Sequence, residues 1–223
     1  MLIAEEYLLL SLDDQTGTKK LSDSYVKPAL GGALIVELAL MERIGITAHE
    51  EGWRKRGRVK IVSAAPTNDP ELDLALERLI AAEGTKVKEL VSETGGSKRI
   101  TKGLRDRLLT RLASAGVLVE QPGTVLGFIQ RTTWPAENGQ HEEDLSARLQ
   151  SALVGGSTPS ERTVALIALL QVTGLLPKVV HTEDERALRA RAKELAGGDW
   201  AAKAVKDAID EVTAAGVAAA SAG

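Results

Sequence analysis

The sequence predicts a mainly α-helical protein, a single compact helical domain with one β-hairpin protruding after a central basic helix. Three observations carry that prediction. The hydrophobic content of 43% includes only six aromatic residues, so the core must be built from Leu, Ala, Val and Ile, a composition that suits helices. Apolar residues recur between helix-start and helix-stop signals over most of the chain. The stretch "VLVEQPGTVLGFIQRTTW" is the exception, with Gln121, Pro122 and Gly123 separating two apolar runs in the manner of a hairpin.

Taken in order, residues 1–12 alternate loosely and end at Asp13, Asp14 and Gly17, which reads as a short helix or strand and then a turn. Ser22 is placed to cap a buried helix with Pro28 as a restart point, apolar residues through Leu40 and a stop at Gly45. In "GWRKRGRVKIV", Val59, Ile61 and Val62 favour a strand or extended segment. Asn68 or Asp69 then caps a helix that has Pro70 in its first position and leucines at Leu72, Leu76 and Leu79. "VKELVSETGG" holds one more short helix, and the basic helix runs from about Ile100 to Ala115, ended by Gly116. From residue 140 onward the pattern is helical, with capping boxes expected at Thr158 with Glu161 and at Thr182 with Glu185.

A chain of 223 residues can bury a substantial core, and no repeat or linker divides it, so residues 1–215 read as one domain and 216–223 as a fraying tail. The net charge of −3 means that any anion binding must come from a local patch. The lack of cysteine excludes disulfides, thiolate catalysis and Cys-bound zinc, and makes the cytoplasm the default location. Glu5 and Glu6 interrupt the apolar N-terminus, so it does not read as a secretory signal. The apolar windows at Ala29–Met41 and Val164–Pro177 are too short for a bilayer.

Catalytic signals are poor, and no catalytic residue, cofactor or metal is expected. His49, His141 and His181 are scattered in polar contexts without metal-ligand spacing, and "TGGSKR" is only a faint echo of a phosphate loop. Adjacent acids such as Asp13 and Asp14, or Glu142 and Glu143, read as solvated charge. The basic helix says more. From Lys98 to Arg111 it carries six cations and one acid. At 100° per residue Leu104, Leu108, Leu112 and Ala115 form one buried stripe, with Lys98, Lys102 and Arg105 on one flank and Arg107 and Arg111 on the other. Cations at a helix N-terminus oppose the macrodipole unless an anion shares the site. A solvated cationic face is the plain alternative. The basic stretch from Trp53 to Lys60 is a second candidate for a membrane surface or nucleic acid. A helix followed by a hairpin also describes a winged helix, which would set Arg105, Arg107 and Arg111 near DNA phosphates, although no preceding helix pair supports it.

Four blocks decide among these alternatives: "EEYLLLSLDDQTG", "ALGGALIVELAL", "APTNDPELDLAL" and "LRDRLLTRLASAGVL". In their order and spacing they resemble the Golgi phosphoprotein 3-like (GPP34) family over nearly the whole chain. The resemblance implies a mainly α-helical, non-enzymatic adaptor that binds phosphatidylinositol 4-phosphate in its eukaryotic members and attaches peripherally to cytosolic membrane faces. It implies that Lys102 and Arg105 contact lipid phosphate, with Lys98 adding field. Ser22 and Gly31 stand where the family has a Trp and an Arg of its lipid pocket, which removes part of the grip on an inositol phosphate. Gly31 and Gly32 would instead permit close backbone approach. The family hairpin implies membrane contact and homo-oligomer formation through Val125, Leu126, Phe128 and Ile129. The short N-terminus and the Ala/Gly-rich composition suggest a bacterial member. The expected partners are an anionic phospholipid headgroup, a membrane surface and a second copy of the chain, with no nucleic acid.

Overall fold

The computed structural model describes residues 1–47, 57–92, 96–125, 129–197 and 211–215, and within 124–131 only the backbone is considered. Three helices form its centre. Helix α1 (Ile3–Leu10) buries all eight of its residues, α2 (Asp23–Leu40) is buried without a break from Pro28 to Ala39, and α7 (Glu161–Val172) from Thr163 to Leu170. Helices apolar on every side must be enclosed by others, and these three pack on one another. The ambiguity at the N-terminus is therefore resolved as helix. Around them lie α3 (Pro70–Ala81), α4 (Val87–Val91), α5 (Leu104–Ser114), α6 (Gln140–Leu153), α8 (Leu176–Val179) and α9 (Glu185–Gly197).

The acid inside the α2 apolar run has a structural use. Glu37 is buried; its Oε2 accepts from the Ile3 backbone N–H at 2.7 Å and its Oε1 pairs with Arg162, so one side chain ties α2 to α1 and α7. Asp69 caps α3, accepting from the N–H groups of Glu71 and Leu72 at 3.0 and 3.2 Å. The two expected capping boxes are replaced by nearer residues. Ser160 Oγ accepts from Thr163 N–H at 3.3 Å at the start of α7, and Asp184 Oδ1 from Ala187 N–H at 2.8 Å at the start of α9.

Among the described residues, two small antiparallel sheets complete the architecture. Strand β1 (Ile44–Ile46), where a helix stop was expected, pairs with the anticipated strand β2 (Val59–Ile61), with Gly45 opposite Lys60. Strands β3 (Gln121–Val125) and β4 (Ile129–Thr133) form the hairpin, so "QPG" lies within β3 instead of forming its turn. Pro122 is tolerated because a two-stranded ribbon consists of edge strands. The hairpin base is held by the N-terminal turn: Trp134 N–H donates to Gly17 O at 3.2 Å and Ala136 N–H to Asp14 O at 3.0 Å.

That turn also meets α6. Lys20 Nζ reaches Glu142 Oε1 at 3.1 Å and Asp14 Oδ1 at 3.5 Å. Glu142 is buried and not the solvated charge its neighbours suggested. Burial, with a hydrogen bond to Asp14, pushes its carboxyl up to about 8 against the pull of Lys20.

Candidate anion-binding site

The chain reverses into α5 through a left-handed glycine. Gly103 has φ +65°, a conformation that side chains resist, and as the helix N-cap it offers no side chain to the first turn. Leu104 N–H donates to Thr101 O at 3.1 Å, and Arg107 Nη1 donates to Lys102 O at 2.9 Å, which fixes the turn. The basic helix therefore begins at Leu104 and not near Ile100. Lys102 stands on the turn ahead of it, and Lys98 ends a short 3-10 turn (Gly96–Lys98) with its side chain exposed.

The two flanks of the basic segment meet different fates. Arg107 donates Nε to Glu71 Oε1 at 2.9 Å and Nη2 to Glu71 Oε2 at 2.9 Å. Arg111 takes both oxygens of Asp69, at 3.0 and 2.6 Å, and its Nε lies 2.8 Å from Glu5 Oε1. Burial pushes the Asp69 carboxyl up, but the Arg111 bond and charge and the N–H groups of α3 outweigh it and hold it below its usual range. These are bidentate, charge-assisted pairs that join α5 to α3 and α1. Neither arginine is available as the winged-helix alternative requires.

On the other flank a pocket of about 200 Å³ opens between the starts of α2 and α5. Lys27, Arg99, Lys102 and Arg105 line it with Asp23 and Asp106, four cations against two carboxylates. Arg105 is largely buried, its side chain only 14% exposed, yet its ion contacts are loose: 3.8 Å to Asp23 and 3.9 Å to Asp106, beyond hydrogen-bonding distance. A guanidinium so enclosed and so weakly paired, beside an uncapped helix start and Lys102, has the chemistry to accept an oxyanion.

The family model described as Golgi phosphoprotein 3 (GPP34) matches residues 3–212. The chain belongs to the GPP34 family. A curated relative, Vacuolar protein sorting-associated protein 74 of Eremothecium gossypii, is 27% identical over 222 residues, a match that covers 86% of this chain and 66% of the relative.

In this GPP34 chain the pocket brings Lys102 and Arg105 together, while Lys98 is not among its lining residues. Ser22 caps α2 by backbone only; its hydroxyl lies 2.7 Å from that of Ser24, in solvent. Gly31 is buried in mid-helix, and the close approach it permits is made by the protein itself: a Cβ there would lie 2.6 Å from Thr101 Cγ2. Gly32 does the same for Val212, at 2.2 Å. Leu126 and Phe128 lie outside the described residues, as do His49, Trp53 and residues 216–223; Val125 and Ile129 are paired in the backbone register of the hairpin. Arg99 belongs to the N-terminal cations for which the sequence called for an anion, whereas Lys27 joined the site without being anticipated. Lys27 follows Asp23 by four residues and so shares its face of α2, the one sequence signal that could have found it. His141 and His181 are exposed, and among the described residues no group of His, Cys, Asp and Glu could hold a metal ion. No helix among them is long and apolar enough to cross a membrane.

Proposed function

We propose that residues 1–215 form a non-enzymatic, peripheral membrane adaptor that binds an anionic lipid headgroup in the pocket between α2 and α5. The observation that carries this is the contrast within one helix: Arg107 and Arg111 are saturated by carboxylates, whereas the enclosed Arg105 is not and faces the same cavity as Lys102. Arg105 supplies a fork for phosphate oxygens, Lys102 a mobile ammonium at the rim, and the first turn of α5 its backbone N–H groups. Lys98 adds charge from outside the pocket. A phosphoinositide such as phosphatidylinositol 4-phosphate is the headgroup class that family membership favours, with attachment from the cytoplasmic side. With Ser22 and Gly31 lacking an aromatic wall and a guanidinium, the charge of Lys27 and Arg99 shares the work of holding it. The hairpin reaches the membrane or a second copy through Val125, Leu126, Phe128 and Ile129.

Liposome flotation tests the proposal, comparing wild type with the Lys102→Ala/Arg105→Ala double variant on neutral, phosphatidylinositol and phosphatidylinositol 4-phosphate vesicles. Wild type is expected to float with the anionic vesicles and the double variant to stay in solution. No flotation with any anionic vesicle at low salt sinks the proposal, and a salt-dependent shift with duplex DNA in its place would favour nucleic acid. For the hairpin, light scattering of Phe128→Asp should show a lower mass than wild type; an unchanged mass removes the hairpin from self-association.

A further inference from the structure

One acid in the pocket is poorly explained by anion binding alone. Asp23 opens α2, where its charge suits the macrodipole, but it also projects into the cationic cavity. Its Oδ1 lies 2.7 Å from Lys19 Nζ and 3.8 Å from Arg105 Nε, so the same oxygen stands between two cations and has closed on only one. Asp106 is the other carboxylate near Arg105, but its side chain is 84% exposed against 34% for Asp23, and water screens it far more. Burial pushes the Asp23 carboxyl up, yet Lys19, Arg105 and Lys27 together hold it below its ordinary value, so it stays charged.

We propose that Asp23 is a built-in competitor for the bound anion, a carboxylate poised beside Arg105 that contests the guanidinium with an incoming phosphate, and that Lys19 promotes binding by drawing Asp23 away. The inference rests on the pocket being the anion site. It assigns opposite roles to two residues four apart in sequence: Asp23 weakens binding and thereby sets a threshold, and Lys19 lowers that threshold without touching the ligand. An anion of low charge density gains little by displacing Asp23, whereas a phosphate group, with more charge and more acceptor oxygens, displaces it readily.

The test is a double-mutant cycle with Asp23→Asn and Lys19→Gln, read by flotation on phosphatidylcholine vesicles carrying phosphatidylinositol 4-phosphate and, without membranes, by titration with inorganic phosphate. Asp23→Asn is expected to tighten both by about three- to fivefold, the upper part of the range for partly exposed charge pairs. Lys19→Gln is expected to weaken both by a similar factor when Asp23 is present and to have no effect in the Asp23→Asn background. Wild-type binding that depends on Arg105 but is unchanged or weakened by Asp23→Asn overturns the competitor role and leaves the proposed function standing. A gain on vesicles but not with phosphate, or an equal gain from Asp106→Asn, also overturns it, since loss of any surface acid would then suffice. If neither wild type nor Asp23→Asn binds any anionic vesicle or phosphate, the pocket assignment itself falls, and this inference with it. Circular dichroism melts establish that each variant is folded.

Discussion

Replacing Glu142 by Gln should make the protein more stable, and by an amount that grows with pH. Glu142 is 5% exposed and holds its proton to about 8, compared with 4.5 for an ordinary glutamate. Between those values the native state keeps a proton that the unfolded chain releases, so stability is fully present below the unfolded value and is lost as pH rises through the folded one. Each pH unit in that window costs about 1.4 kcal/mol for one proton, and the span from about pH 5 to about pH 8 costs about 2 to 4 kcal/mol. Glutamine mimics the protonated acid: its oxygen can still accept from Lys20, 3.1 Å away in wild type, and its amide can donate toward Asp14. Urea unfolding at a series of pH values should therefore show the two proteins nearly equal at the acid end and the variant ahead at the alkaline end. Two opposing forces act on Glu142, since the ion pair with Lys20 favours the charged form and burial the neutral one, and burial is the larger. A variant that instead loses ground toward high pH, or whose difference from wild type does not change with pH, would refute that ranking.

Two further substitutions probe the frame of the site. Gly31→Ala forces Thr101 or α2 to move, because 2.6 Å is shorter than any real contact to a Cβ; a loss of about 1 to 3 kcal/mol in urea unfolding is expected, with weaker flotation on anionic vesicles as the pocket wall shifts. Arg111→Ala removes the ion partner of the buried Glu5 and unpairs Asp69; a loss of about 2 to 3 kcal/mol by the same measurement is expected, below the roughly 3 to 5 kcal/mol for breaking a fully buried pair because Arg111 keeps part of its surface in water.

Much of this architecture was legible from local patterns. Asp69 and Pro70 announced the start of α3, and Ser22 that of α2, because caps and burial stripes are properties of neighbouring residues; the helix α2 ends at Leu40, ahead of the Gly45 stop. Strand β1 was not legible: three residues, with Gly45 in the middle, carry no period, and only β2 across from them makes a strand. The wheel separated Arg105 from Arg107 and Arg111, but which flank would be neutralised depended on Glu71, Asp69 and Glu5, brought in by α3 and α1 from far along the chain. The late start of α5 turned on one glycine adopting φ +65°, which the cations around it gave no reason to expect. Glu142 looked like any surface acid until the N-terminal turn folded over it.

The sequestering of Arg107 and Arg111 reaches beyond the pocket. A protein of net charge −3 is repelled as a whole by an anionic film, and it feels attraction only within about 8 Å, where its local positive charge is no longer screened. Because the two inner arginines are neutralised within the protein, their flank of α5 offers an anionic film no adhesive edge. Under the proposed function, approach becomes an orientation filter whose productive encounter presents the mouth of the cavity. Added salt then acts in two directions, easing the long-range repulsion while weakening the final grip, so association on such a film should be greatest at an intermediate ionic strength.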